Sequence, residues 1–145
     1  MVESFSGKYT NTLDVKNRVF VPAAYRERLG SKFMLTRGEE KYLNLYPKEA
    51  WEEFEEQIKK LQTTRDNYMA IMRHYFNNAV PCSMDSQGRI VVPQDLKEWA
   101  GLTKDIMFAG VQSKVEIWDP ANYEEKTKAV NIKEILEVLP INFPL

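Results

Sequence analysis

Cysteine and histidine each occur only once in this 145-residue chain, as Cys82 and His74. A lone thiol has no disulfide partner within the chain, which suits a reducing cytoplasm. A single domain of this size buries roughly two-thirds of its unfolded surface, so neither metal nor disulfide staples are needed. A histidine-based triad has only His74 to draw on, and that residue follows Arg73 in a helical pattern without a nucleophile motif. Cys82, directly after Pro81, reads as a small core residue. No apolar stretch approaches the ~18 residues of a membrane span, and residues 1–20 lack a basic segment followed by an apolar one. Export and membrane spanning are therefore unsupported, and a cytoplasmic protein is expected. No metal-ligand or nucleotide-binding motif stands in the sequence, so no cofactor is expected. An excess of positive charge is missing too: the formal net charge is −1, which argues poorly for nucleic acid.

What the chain does have is an internal repeat. Asp14-Val15-Lys16-Asn17-Arg18-Val19-Phe20-Val21-Pro22 returns 71 positions later as Asp85-Ser86-Gln87-Gly88-Arg89-Ile90-Val91-Val92-Pro93. Two copies are too few for a solenoid, so the expected outcome is one domain with approximate two-fold symmetry. After each proline comes a short segment closed by glycine, Ala23 to Gly30 and Gln94 to Gly101. Proline in the first turn and glycine past the end are helix boundaries. Each copy thus reads as a turn, a short β-branched strand and a helix of about two turns. Two further strands follow in each, at Phe33–Thr36 and Tyr42–Tyr46, then at Ile106–Ala109 and Val115–Trp118. Val115 and Ile117 alternate with Glu116, as in a strand with one buried face.

The doubled Asp-x-x-x-Arg-x-x-x-Pro motif, with its helix and hairpin, resembles the MraZ family of bacterial transcriptional regulators, from Phe5 to about Tyr123. The resemblance implies an α+β fold: a duplicated swapped-hairpin, AbrB-like β-barrel with pseudo-two-fold symmetry and a helical insert between the repeats. It places SpoVT/AbrB-type repeats at residues 5–50 and 79–123, the insert at 51–78, and a C-terminal helix or tail at 124–145. It also implies a nucleoid-associated, ring-shaped homo-oligomer. Such a ring would bind short direct repeats of double-stranded DNA in its own promoter, ahead of the operon for cell division and cell-wall synthesis. The chain departs from the usual motif at two places. Asn17 stands where the family carries glycine, and Gln87 where it often carries lysine. Asparagine tolerates positive φ better than other side chains, so the first turn can survive.

In the insert, Trp51, Phe54, Ile58 and Leu61 share one helix face by their spacing. A second helix should carry Tyr68, Met69, Ile71, Met72, Tyr75 and Phe76, an apolar arc wide enough to suggest contact between subunits. The tail from Ile132 to Leu145 reads as a loosely held terminus. Charge is segregated along the chain. Through Gly38 there are seven cations against three acids, and from Glu39 to Gln62 four cations against seven.

Arg18 and Arg89, expected as exposed strand residues beside tight turns, suit bidentate reading of guanine or a phosphate. Lys16, Asn17 and Gln87 add donors, and the backbone at Gly88 permits close approach. The plainer alternative is that Asp14 with Arg18, and Asp85 with Arg89, pair to fix a turn. Two symmetry-related aspartates also raise the question of a catalytic dyad. Such proteases follow Asp with Ser or Thr and then Gly, which Asp14-Val15-Lys16 and Asp85-Ser86-Gln87 do not, so an enzyme is not expected. An antitoxin-like or adaptor role through protein contacts is the remaining class.

Overall fold

The structure is a computed structural model and describes residues 4–140. Both motif turns pass through positive φ, at 60° for Asn17 and 86° for Gly88, so asparagine does fill the glycine position. Ahead of the first turn runs strand β1 (Lys8–Thr12), and after it come β2 (Arg18–Phe20), α1 (Ala23–Leu29), β3 (Phe33–Arg37) and β4 (Leu43–Pro47). The insert holds α2 (Lys48–Lys59) and α3 (Arg65–Tyr75). The second copy repeats the order as β5 (Val80–Cys82), β6 (Arg89–Val91), α4 (Gln94–Trp99), β7 (Asp105–Gly110) and β8 (Val115–Trp118). Two helices follow, α5 (Pro120–Lys128) and α6 (Ile132–Glu137). Pro22 and Pro93 sit one residue ahead of α1 and α4, and α1 stops at Gly30 with φ at 76°. The ring-fixed φ of each proline leads the chain into the helix without a lost N–H.

The strands form a six-stranded sheet in the order β1-β7-β8-β4-β3-β5 and a two-stranded ribbon of β2 with β6. Exchanging each strand for its counterpart in the other copy reverses the order of the large sheet without changing it. Among the described residues this is an open arrangement ending at β1 and β5, not the closed barrel expected. In the antiparallel ribbon Val19 faces Ile90, its counterpart 71 residues on, with Arg18 opposite Val91 and Phe20 opposite Arg89. At the sheet ends Asn11 pairs with Ile106, and Cys82 with Phe33. These two pairings correspond once β7 is shifted by the two residues that the second copy gains between Gly101 and Ile106.

Each copy therefore contributes an outer strand to the other copy's hairpin. The core lies where they meet. Val19, Val21, Ile90 and Val92 join Leu35, Leu43, Leu45, Phe108, Val115 and Ile117 in one buried cluster, with Tyr25, Leu29 and Leu96 from α1 and α4.

Trp51 and Phe54 on α2 are half-buried and Ile58 is buried, whereas Leu61 lies beyond the helix end and is exposed. Tyr46, Trp51, Phe54, Tyr75 and Phe76 form a ring cluster with centroids 5.1–5.9 Å apart. That cluster secures α3 to its own chain, yet no α3 residue is fully buried. His74 sets its Nε2 2.6 Å from the Gly38 carbonyl oxygen and meets Tyr75 and Trp99 edge-on. It is a packing residue. In α6 Ile132 and Ile135 are exposed, as are Val138 and Leu139 after it. The rest of the expected tail, residues 141–145, lies outside the described residues. No described helix is long and apolar enough to cross a membrane.

The two faces of β6 should respond differently to truncation. Ile90 is 1 % exposed and Val91 56 %. Ile90→Ala is expected to cost about 2–5 kcal/mol in chemical denaturation. Val91→Ala should stay within about 0.5 kcal/mol of the parent. Equal losses would refute the assignment of the inner face.

Candidate nucleic-acid interface

The motif aspartate is the anchor of its turn. Asp14 Oδ1 accepts the backbone N–H groups of Lys16 and Arg18, both at 2.9 Å, and Oδ2 accepts Arg18 Nε–H at 2.8 Å. Asp85 does the same for Gln87, Arg89 and Arg89 Nε–H, at 2.9, 2.9 and 2.8 Å. Backbone bonds close both loops: Asn17 N–H to Asp14 O at 3.0 Å and Gly88 N–H to Asp85 O at 3.0 Å. The N–H of each arginine beside its aspartate is the first cause holding both carboxyls below 3.8, with the guanidinium adding to it against the opposing effect of burial. A proton-sharing dyad requires one raised carboxyl. These two are both lowered and both committed to their own turns.

The turns are pinned by the opposite copy. Val21 N–H donates to Gly88 O at 2.9 Å, and Val92 N–H to Asn17 O at 2.8 Å. Asn17 Nδ2 donates to Gln94 Oε1 at 2.9 Å, while its Oδ1 accepts from Lys97 Nζ at 3.2 Å. Lys97 has Arg26 as its counterpart, and Arg26 lies across the other turn, donating from Nε to Val21 O at 2.8 Å. A Cβ on Gly88 would fall 2.5 Å from the Arg26 guanidinium carbon. Gly88 is buried there, so its backbone is not open to close approach as the sequence suggested. Its glycine admits a neighbouring arginine instead. Asn17, likewise, spends its amide within the chain.

Arg18 and Arg89 are half-buried rather than freely exposed, with side chains 32 % and 20 % accessible. They do pair with their aspartates, but through Nε alone. The guanidinium carries five N–H donors, and among the described residues the four on the terminal nitrogens meet no hydrogen-bond acceptor. The outward face of the ribbon thus presents Arg18, Phe20, Arg89 and Val91, with the Arg89 guanidinium 5.7 Å from the Phe20 ring centroid. Lys16 and Gln87 stand exposed in the turns beside it. Arg26 and Lys97 were not singled out from sequence. Their signal was available: each is the fourth residue after its motif proline.

Burial pushes the Cys82 thiol up to about 11, and no described group of three His, Cys, Asp or Glu side chains could hold a metal. What the site can do is present oriented guanidinium donors to planar acceptors.

Fold and site together define a class: a two-repeat α+β protein whose copies jointly build one arginine-bearing ribbon. The family model described as "MraZ protein, putative antitoxin-like" matches residues 4–73 and 75–135, and the chain belongs to the MraZ family. A protein of Caldanaerobacter subterraneus named "Transcriptional regulator MraZ" is 42 % identical over 135 residues, covering 92 % of this chain and 94 % of its own. Proteins of the same name from Moorella thermoacetica and Heliobacterium modesticaldum are 41 % and 42 % identical. The first covers 83 % of this chain and 85 % of its own, the second 97 % and 99 %. These relatives are named as regulators, not as enzymes.

The turn carboxylates make an acid-sensitive prediction. A carboxyl held below 3.8 in the folded chain stabilises it above that value and ceases to as pH falls through the folded pKa. The melting-temperature deficit of Asp14→Asn/Asp85→Asn should therefore be full at neutral pH and shrink below pH 3.8. A deficit unchanged with pH would show that the charge is not what holds the turns.

Proposed function

We propose that this protein is a sequence-specific DNA-binding transcriptional regulator that grips double-stranded promoter DNA through the β2–β6 ribbon. The observation that carries the proposal is the pair Arg18 and Arg89. Each is oriented by an aspartate, and each offers its terminal donors on the outward face of a single ribbon. A two-stranded ribbon fits the major groove, where arginine reads guanine O6 and N7 bidentately. Lys16, Gln87, Arg26 and Lys97 flank that face and supply phosphate contacts, which fix register without reading sequence. Asn17 and Gly88 serve the interface by shaping the turns.

The relatives' name supports the regulatory half of this reading. Strand exchange between the copies supports the swapped-hairpin arrangement of the family, with repeats near 5–50 and 79–123. The protein acts in the cytoplasm, at the nucleoid, as a ring of copies that binds direct repeats upstream of its own operon for cell division and wall synthesis. Half-buried α3 and the exposed apolar residues of α6 are surfaces from which such a ring is built, since a repeated head-to-tail contact closes when its rotation permits.

Mass measurement and binding to DNA from upstream of its own gene test this directly. Light scattering at micromolar concentration should give several chains per particle, and a monomer would refute assembly. Arg18→Ala and Arg89→Ala are each expected to weaken specific binding by about 1–3 kcal/mol per lost bidentate contact, multiplied where subunits grip successive sites. Folding should barely change, because a partly exposed ion pair is worth about 1 kcal/mol or less. A folded double variant that still binds at parental strength would end the proposal.

Lys16→Gln should lower the salt slope of binding by roughly one unit per engaged site and leave sequence preference unchanged. An unchanged slope would remove Lys16 from the interface. An adaptor working through apolar contacts would show no steep salt dependence at all.

A further inference from the structure

The outward face of the ribbon holds two apolar side chains that the arginine reading leaves unused. Phe20 is 44 % exposed and Val91 56 % exposed, while Val19 and Ile90 on the inner face are 1 % exposed. Strand alternation alone would place polar residues at these outward positions. The two are held in register with the motif arginines, Val91 directly across from Arg18 and Phe20 directly across from Arg89.

Resting on the DNA-binding reading above, we infer that Phe20 and Val91 are specificity-determining residues that contact the 5-methyl groups of thymines beside the guanines read by Arg18 and Arg89. In the major groove the thymine methyl is the one apolar mark on a base edge, and it is read by apolar side chains. A face that alternates guanidinium and hydrocarbon across the ribbon matches a groove that alternates acceptor edges and methyl groups.

Charge decides between DNA and a second copy of the chain as occupant. Lys16, Arg18, Arg26, Arg89 and Lys97 gather at this ribbon and its turns, while Asp14 and Asp85 are spent on their own turns and Glu98 accepts from Gln94. A stable protein interface buries about 1,200–2,000 Å² and depletes charge at its centre. One phenylalanine buries at most about 250 Å², so two apolar side chains fenced by arginines fall far short of such a core.

The test uses the full-length protein and a duplex from upstream of its own gene, prepared once with thymidine and once with deoxyuridine throughout. The second duplex keeps every hydrogen-bonding group and lacks only the methyls. Wild-type protein should bind the deoxyuridine duplex about fourfold more weakly per methyl contacted, the ratio expected for one buried methyl-sized group. Phe20→Ala and Val91→Ala should each bind the thymidine duplex more weakly than wild type, and neither should lose further on the deoxyuridine duplex at the positions it reads.

Equal wild-type affinity for both duplexes overturns the inference and leaves the arginine contacts standing. A Phe20→Ala loss of the same size on both duplexes also overturns it, because Phe20 would then merely position Arg89. So would variants that change particle mass while DNA affinity is kept, since the patch would then belong to a neighbouring copy. If wild-type protein binds neither duplex, the DNA reading fails and this inference fails with it.

Discussion

One carboxylate, used three times over, holds each half of this protein in shape. Asp14 accepts two backbone N–H groups and a guanidinium Nε–H, and Asp85 repeats the arrangement to within 0.1 Å. Charge-assisted bonds of this kind are stronger than neutral ones. They do two jobs with one group. The turn is closed so that β2 and β6 can meet, and the arginine is fixed along one edge while its far end stays available. An arginine already immobilised loses less entropy when a partner arrives. Structural pairing and the proposed recognition are therefore compatible accounts of the Asp–Arg pair.

The same economy governs how the copies meet. Backbone bonds run from each β2 or β6 extension to the other copy's turn, and a helix cation from each copy covers that turn. The arrangement is not fully symmetric. Where glycine leaves room, Arg26 lies flat across Gly88. Where asparagine occupies the equivalent place, Lys97 meets its side-chain oxygen instead. The two turns of one ribbon thus carry different cations, Arg26 over Gly88 and Lys97 at Asn17.

Much of this was legible in the sequence, and the misses have physical causes. The motif, the proline-led helices and the hairpins are local, so spacing and turn chemistry reveal them. The φ of 60° at Asn17 follows from asparagine's tolerance of the left-handed region. Strands β1 and β5 were invisible because they are sheet edges: Lys8–Thr12 has no buried residue, and Val80–Cys82 carries a proline that only an edge tolerates. The exposure of Arg18 and Arg89 was overestimated because their aspartates cover one side of each. Gly88 was read as open because nothing local indicates that Arg26, 62 positions earlier, returns to lie on it. Contacts between copies depend on pairings that periodicity cannot encode.

Because β1 completes the other copy's hairpin and β5 returns the favour, within either half only two strands of the six-stranded sheet pair with each other. The polypeptide joins two such partners end to end through α2 and α3. Joining them frees the partners to differ. A true dimer must carry the same residue twice, whereas here Lys16 faces the world from one half and Gln87 from the other, and Phe20 is matched by Val91. The ribbon consequently has a head and a tail. If the ribbon grips DNA as proposed, that polarity distinguishes one direction along a duplex from the other, which a perfectly symmetric element cannot do.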